Sequence, residues 1–166
     1  MTELNVAGLS MDPVSKSPIL VLRTTSGLFI LPIWIGPSEA VSISLALQEV
    51  DVPRPLTHDL LLSAVEAVGY LLKSIQIIRC EEGVFYAQLE LSKGSRTVLV
   101  DCRPSDAVAV ALRAQAPILK DLHEKFDAQD VEVINIGDSV RARRIIDGVL
   151  EGHHQVLTAL ELGGYL

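Results

Sequence analysis

Residues 28–45 read LFILPIWIGPSEAVSISL, and residues 95–112 read SRTVLVDCRPSDAVAVAL. Each stretch starts as a strand-like apolar run and passes through a Pro-Ser-acid turn into small and aliphatic residues at helical spacing. The turn Pro37-Ser38-Glu39-Ala40-Val41 returns as Pro104-Ser105-Asp106-Ala107-Val108 at a constant offset, which Gly27 and Gly94 share. A strand that enters a helix twice in the same way predicts an α+β fold, built from an internally duplicated unit with helices packed on a largely antiparallel or mixed sheet.

Working outward, Leu4–Leu9, Ile19–Thr24 and Leu28–Ile35 read as three strands, parted by Asp12-Pro13 and Ser26-Gly27 turn signals. A buried helix follows from Ala40 to Glu49, with small Ser42 and Ser44 among its apolar residues, and Val52-Pro53-Arg54-Pro55 breaks it. Thr57 reads as the N-cap of a second helix ending at Gly69, with Leu56 and Leu61 as a hydrophobic staple. The second half repeats the plan with strands over Leu71–Cys80, Val84–Leu91 and Thr97–Cys102 and helices over Pro104–Ala114 and Ile118–Phe126. The repeats span about 1–69 and 70–126 of one domain over 1–126. Residues 127–166 form an extension read as a strand, Asp130–Ile136, and a helix, Asp138–Leu150, that carries Arg141, Arg143 and Arg144.

Composition bounds the partners. In 166 residues, 49% hydrophobic and 4% aromatic side chains predict an aliphatic core in one domain. A net charge of −7 argues against binding nucleic acid by bulk attraction. A local arginine cluster is still compatible with it, because exposed charges are screened beyond about 8 Å. The apolar run from Leu28 to Gly36 is interrupted by Pro32 and too short to cross a bilayer, and residues 1–15 show no signal peptide. Cys80 and Cys102 read as buried thiols of a reducing compartment, so a cytoplasmic protein is expected. Few aromatics on an aliphatic sheet suggest a homo-oligomer.

Chemistry-bearing residues gather at the turns. Glu39 and Asp106 each fall in the first turn of a helix, where free N–H groups favour a carboxylate. They could also face one cleft and ligate a divalent cation. His58, at a helix start beside Asp59, is kept neutral by the positive end of the dipole, the form that accepts a proton or binds metal. The same pair also reads as an exposed polar turn. Asp101 and Arg103 alternate onto one side of a strand, and Arg103 stands beside helix N–H groups suited to phosphate. An internal Asp–Arg ion pair is the plainer reading. Arg54 could supply a second guanidinium, whereas Ser38 and Ser105 read as caps rather than nucleophiles. Glycine-rich phosphate loops, CxxC, HExxH and GxSxG are all missing.

Three ordered motifs, Leu31-Pro32-Ile33-Trp34-Ile35-Gly36-Pro37-Ser38-Glu39-Ala40, Arg54-Pro55-Leu56-Thr57-His58-Asp59-Leu60 and Asp101-Cys102-Arg103-Pro104-Ser105-Asp106-Ala107, resemble the bifunctional nuclease family over roughly residues 4–126. The resemblance implies a duplicated α+β fold and hydrolysis of DNA or RNA, with Glu39, Arg54, His58, Asp59, Asp101, Arg103 and Asp106 as the polar positions. Some relatives carry a further short helical module, to which residues 127–166 show no resemblance. On this reading Glu39, Asp101 and Asp106 hold Mg²⁺ or Mn²⁺, hard cations that favour carboxylates. His58, oriented by Asp59, is general base or ligand, and Arg54 and Arg103 hold phosphate oxygens. The alternative is a non-catalytic module that binds an anionic ligand or a protein partner between the repeats.

Overall fold

The structure, a computed structural model, describes residues 1–27, 29–120 and 134–135. Three strands come first: β1 (Thr2–Met11), β2 (Pro18–Thr24) and β3 (Phe29–Trp34). Helices α1 (Pro37–Leu47) and α2 (Thr57–Ala67) follow, then β4 (Leu71–Glu81), β5 (Val84–Lys93) and β6 (Arg96–Cys102). Helix α3 (Pro104–Ala114), the short strand β7 (Ile118–Lys120) and the two-residue β8 (Ile134–Asn135) complete the order.

All the strands join one sheet in the order β6-β5-β4-β7-β1-β2-β3-β8. Each meander is antiparallel, as expected for strands joined by tight turns. At the centre, β7 runs parallel to β4 and antiparallel to β1, which makes the sheet mixed. Side-chain alternation gives the sheet one helix-bearing face. Leu20 and Leu22 of β2, Leu31 and Ile33 of β3, Ile75 and Ile77 of β4, and Ala87 and Leu89 of β5 all enter one core. Ala40 and Ile43 of α1 and Ala107, Val108 and Ala111 of α3 meet them there. The α+β class is therefore as expected, with the helices packed on the sheet.

The three-strand, two-helix unit does not recur as a whole among the described residues. Both halves have a meander that enters a proline-started helix, but among the described residues α2 has no counterpart after α3. Residues 118–120, expected to open a helix, form β7 instead. Ile118 is buried in the core, and β4 and β1 each offer an open strand edge to this segment, so pairing overrides local helical spacing. The expected strand over Asp130–Ile136 falls within the described residues only at β8. The Arg141–Arg144 helix lies outside them.

Candidate active site

Three helices begin near one another, and each has an acid at its third residue: Glu39 in α1, Asp59 in α2 and Asp106 in α3. Proline opens α1 and α3 because its fixed φ suits the first turn and the missing N–H would have no helical partner there. Gly36 precedes α1, and a Cβ at this position would collide with the Glu39 carboxylate. The glycine thus lets the Glu39 side chain fold back across the helix start. Neither Ser38 nor Ser105 caps its helix; Gly36 and Arg103 occupy the cap positions without a side-chain cap hydrogen bond. In α2 the cap is Leu56, not Thr57, and Asp59 Oδ2 accepts from the Leu56 N–H at 2.8 Å.

One guanidinium joins α1 to α3. Arg103 donates from Nε to Asp106 Oδ2 at 2.7 Å and from Nη2 to Asp106 Oδ1 at 3.0 Å, a bidentate pair. Its Nη1 lies 2.7 Å from Glu39 Oε1. The Arg103 side chain is 66% exposed, whereas that of Glu39 is 14% exposed. The bonds and charge of Asp106, with a smaller contribution from Glu39, hold the Arg103 guanidinium above its ordinary pKa.

His58 reaches the same cluster from α2. Its Nε2 stands 3.3 Å from Asp106 Oδ1, and its Nδ1 stands 2.8 Å from Ser42 Oγ in α1. Burial pushes the Asp106 carboxyl up, but the Arg103 and His58 hydrogen bonds and the Arg103 charge outweigh it. The net effect is a carboxyl below the usual aspartate range, ionised at neutral pH.

Asp59 does not orient His58. Its Oδ1 accepts from Arg113 Nε at 2.5 Å and its Oδ2 caps α2, so both oxygens are engaged elsewhere. Arg113, only 10% exposed, also donates to Ala109 O at 2.8 Å and to Ser42 O at 3.2 Å. This one side chain therefore ties α1, α2 and α3 together. Here too burial raises the carboxyl, while the Leu56 N–H and Arg113 lower it further, leaving Asp59 below its ordinary pKa.

The structure thus brings together Glu39, Arg103, Asp106 and His58, with Asp59 one residue away on a second ion pair. Asp101 does not join them. It pairs across the ladder with Gln88, whereas the neighbouring residues Ala87, Leu89 and Cys102 pack into the core under the helices. Strand alternation consequently sends Asp101 to the sheet face opposite the cluster. Arg103 escapes that alternation because it has left the strand and caps α3. Arg54 is exposed on the segment before α2, and makes no side-chain hydrogen bond or ion pair among the described residues. Cys102 lies beneath the turn, where burial, with the Asp106 and Asp101 charges, pushes its thiol up to about 11. It is an unreactive thiol at neutral pH.

This geometry does not assemble the three-carboxylate metal set of Glu39, Asp101 and Asp106. Asp101 faces away, and Arg103 stands between the other two. Among the described residues no group of three or more histidines, cysteines or acids is placed to hold a metal ion. Ser42 and Arg113 escaped the sequence reading. A serine in an apolar helix reads as a small packing residue, and only its distance to His58 shows otherwise. Arg113 did leave a signal, as the single charge between Ala107 and Ala114, two helical turns beyond Asp106.

Comparison with known proteins identifies the family. Residues 20–125, which include all of the cluster, match the bifunctional nuclease domain. An uncharacterized protein of Mycobacterium tuberculosis is 46% identical over 118 residues, 71% of this chain and 70% of that protein. Bifunctional nuclease 1 of Arabidopsis thaliana is 27% identical over 150 residues, 88% of this chain and 46% of the plant protein. Bifunctional nuclease 2 of Oryza sativa is 30% identical over 118 residues, 69% of this chain and 36% of that protein. The match covers less than half the length of each plant relative. By the span of the domain match, which takes in more than half of its residues, the chain belongs to the bifunctional nuclease domain family.

Proposed function

We propose that the chain is a phosphodiesterase acting on DNA or RNA, with the Glu39–Arg103–Asp106–His58 cluster as its centre. The observation that carries this reading is the convergence of acid, base and guanidinium at the starts of three helices, within the span that matches the nuclease domain. Arg103 is the group that meets phosphate. It is exposed, it carries five donors, and it can turn from the two carboxylates to a phosphate without moving the backbone. Free helix N–H groups beside it favour the same charge. Arg54, on the exposed segment before α2, is the second guanidinium of this reading.

Once Arg103 engages the phosphate, the Asp106 carboxylate is released to accept a proton from the attacking water, whose oxygen bonds to phosphorus as the P–O bond to the leaving oxygen breaks and solvent protonates that oxygen. His58 keeps that carboxylate in place through its Nε2 contact, and so acts on Asp106 rather than on the water. Glu39 and Asp106 are the two carboxylates that Mg²⁺ or Mn²⁺ would meet after Arg103 turns away; dependence on either ion is read directly in the assay. A homo-oligomer and a cytoplasmic location belong to the same proposal. The described residues contain no helix long and apolar enough to cross a membrane.

The test is cleavage of single- and double-stranded DNA and RNA by highly purified protein with Mg²⁺, Mn²⁺ or EDTA. Asp106→Asn and His58→Gln are purified identically and assayed alongside. Loss of about 100-fold or more in both supports the reading. Equal cleavage by all three proteins removes it. Binding of oligonucleotide without cleavage would favour the non-catalytic module, whose support is that Arg103 already neutralises both carboxylates.

A further inference from the structure

His58 is engaged at both ring nitrogens, and its inner partner is a hydroxyl that the nuclease reading leaves unused. Ser42 is 8% exposed, in the middle of α1, with Oγ 2.8 Å from His58 Nδ1. Asp106, as a carboxylate, only accepts hydrogen bonds, so the neutral ring carries its proton on Nε2, toward Asp106. Nδ1 is then an acceptor, and the Ser42 hydroxyl is the donor that meets it. When the ring takes up a second proton it binds at Nδ1, and the same hydroxyl turns and accepts. An apolar side chain could satisfy neither state.

The hydroxyl is held in place from below. Arg113 takes the Ser42 carbonyl and is itself fixed by Asp59 of α2 and the Ala109 carbonyl of α3. Ser42 therefore meets the ring with its backbone anchored to the other two helices.

We infer that Ser42 is a positioning residue for His58, keeping the imidazole seated on Asp106 with its proton on Nε2. This deepens the reading of Asp106 as proton acceptor and rests on it, but its test needs no turnover. The charged groups about the ring are Asp106 and Arg113 of α3, Arg103 at the cap of α3, Glu39 of α1 through Arg103, and Asp59 of its own helix. Removing the hydroxyl leaves Nδ1 of the neutral ring without its donor, so the Nδ1 signal moves toward that of an unbonded ring nitrogen.

The experiment is ring nitrogen-15 NMR of the full chain labelled at its four histidines, with the His58 signals assigned by their loss in His58→Gln. In the neutral wild-type ring the proton is expected on Nε2. Ser42→Ala is expected to move the Nδ1 signal of the neutral ring toward that of an unbonded nitrogen, and Ser42→Thr to restore it. Should the alanine chain not fold, Ser42→Cys replaces it with the same expected direction, because a thiol is a weak donor and acceptor. An unchanged Nδ1 signal in the alanine chain, or a wild-type proton on Nδ1 of the neutral ring, overturns the inference. Cleavage by the same preparations is scored separately. A displaced Nδ1 signal with no cleavage by the wild type would sink the nuclease reading and leave the role of Ser42 standing.

Discussion

Two arginines divide the acids of the three helix starts between them. Arg103 holds Glu39 and Asp106 at the surface, and Arg113 holds Asp59 beneath it. Their depths set their uses: the exposed one can be drawn away by a phosphate, whereas the buried one can leave only at a large cost. Removing Arg113 leaves a half-buried carboxylate and the Ser42 carbonyl without their partner. Arg113→Ala is therefore expected to destabilise the chain by about 2–3 kcal/mol in urea unfolding. Arg113→Lys should recover only part of that, since an ammonium cannot reproduce the fork. The acid limb of the pH profile follows from the same pair. The folded-state pKa values of Asp59 and Asp106 lie below their unfolded ones. The stability these groups contribute is thus fully present above the unfolded value, about 3.9, and is lost as pH falls through the folded values. Asp59→Asn should shrink the drop in the urea midpoint between about pH 7 and about pH 3; an undiminished drop would assign the acid sensitivity to other groups. At this scale the sequence was informative about residue type and silent about partners. Glu39, His58, Arg103 and Asp106 stood out because charges at helix starts are visible along the chain. Asp59 and Asp101 stood out equally, yet one closes a buried ion pair and the other faces away.

Among the elements, α2 and β6 are exposed to an unusual degree for apolar segments. No residue of α2 is fully buried, and Leu60, Leu61 and Val68 stand open along it. Strand β6 ends the sheet and exposes Val98, Leu99 and Val100. An exposed apolar edge strand is a template for pairing with another chain. A homo-oligomer that uses β6 predicts that Leu99→Lys lowers the mass measured by light scattering after gel filtration, with the secondary structure retained by circular dichroism. A mass unaffected by the charge would exclude β6 from the contact. The elements themselves were the most legible part of the chain. All six strands of the two meanders and the three helices follow from alternation, helical spacing and turn residues. The exception is β7, where three residues that read along the chain as the start of a helix pair with strands from both halves.

For the molecule as a whole, β7 is the join. It lies between the two meanders, with β4 along one side and β1 along the other. Leu119 sits at the middle of both pairings, so Leu119→Pro removes a backbone donor where the halves meet and should lower stability by about 2–3 kcal/mol. Thermal unfolding of the variant checks this; an unshifted transition would mean that contact between α1 and α3 suffices to hold the halves together.

The sequence by itself determined the elements, the aliphatic core and the crowding of polar residues at two matching turns, because periodicity and turn chemistry act between near neighbours. Tertiary structure alone decided which of those residues meet. Crossing helices put His58 between Ser42 and Asp106, a strand register turned Asp101 to the far face, and a long side chain carried Arg113 from the end of one helix to the start of another. Such contacts join residues far apart in the chain, and they depend on packing distances and sheet register that no local pattern encodes.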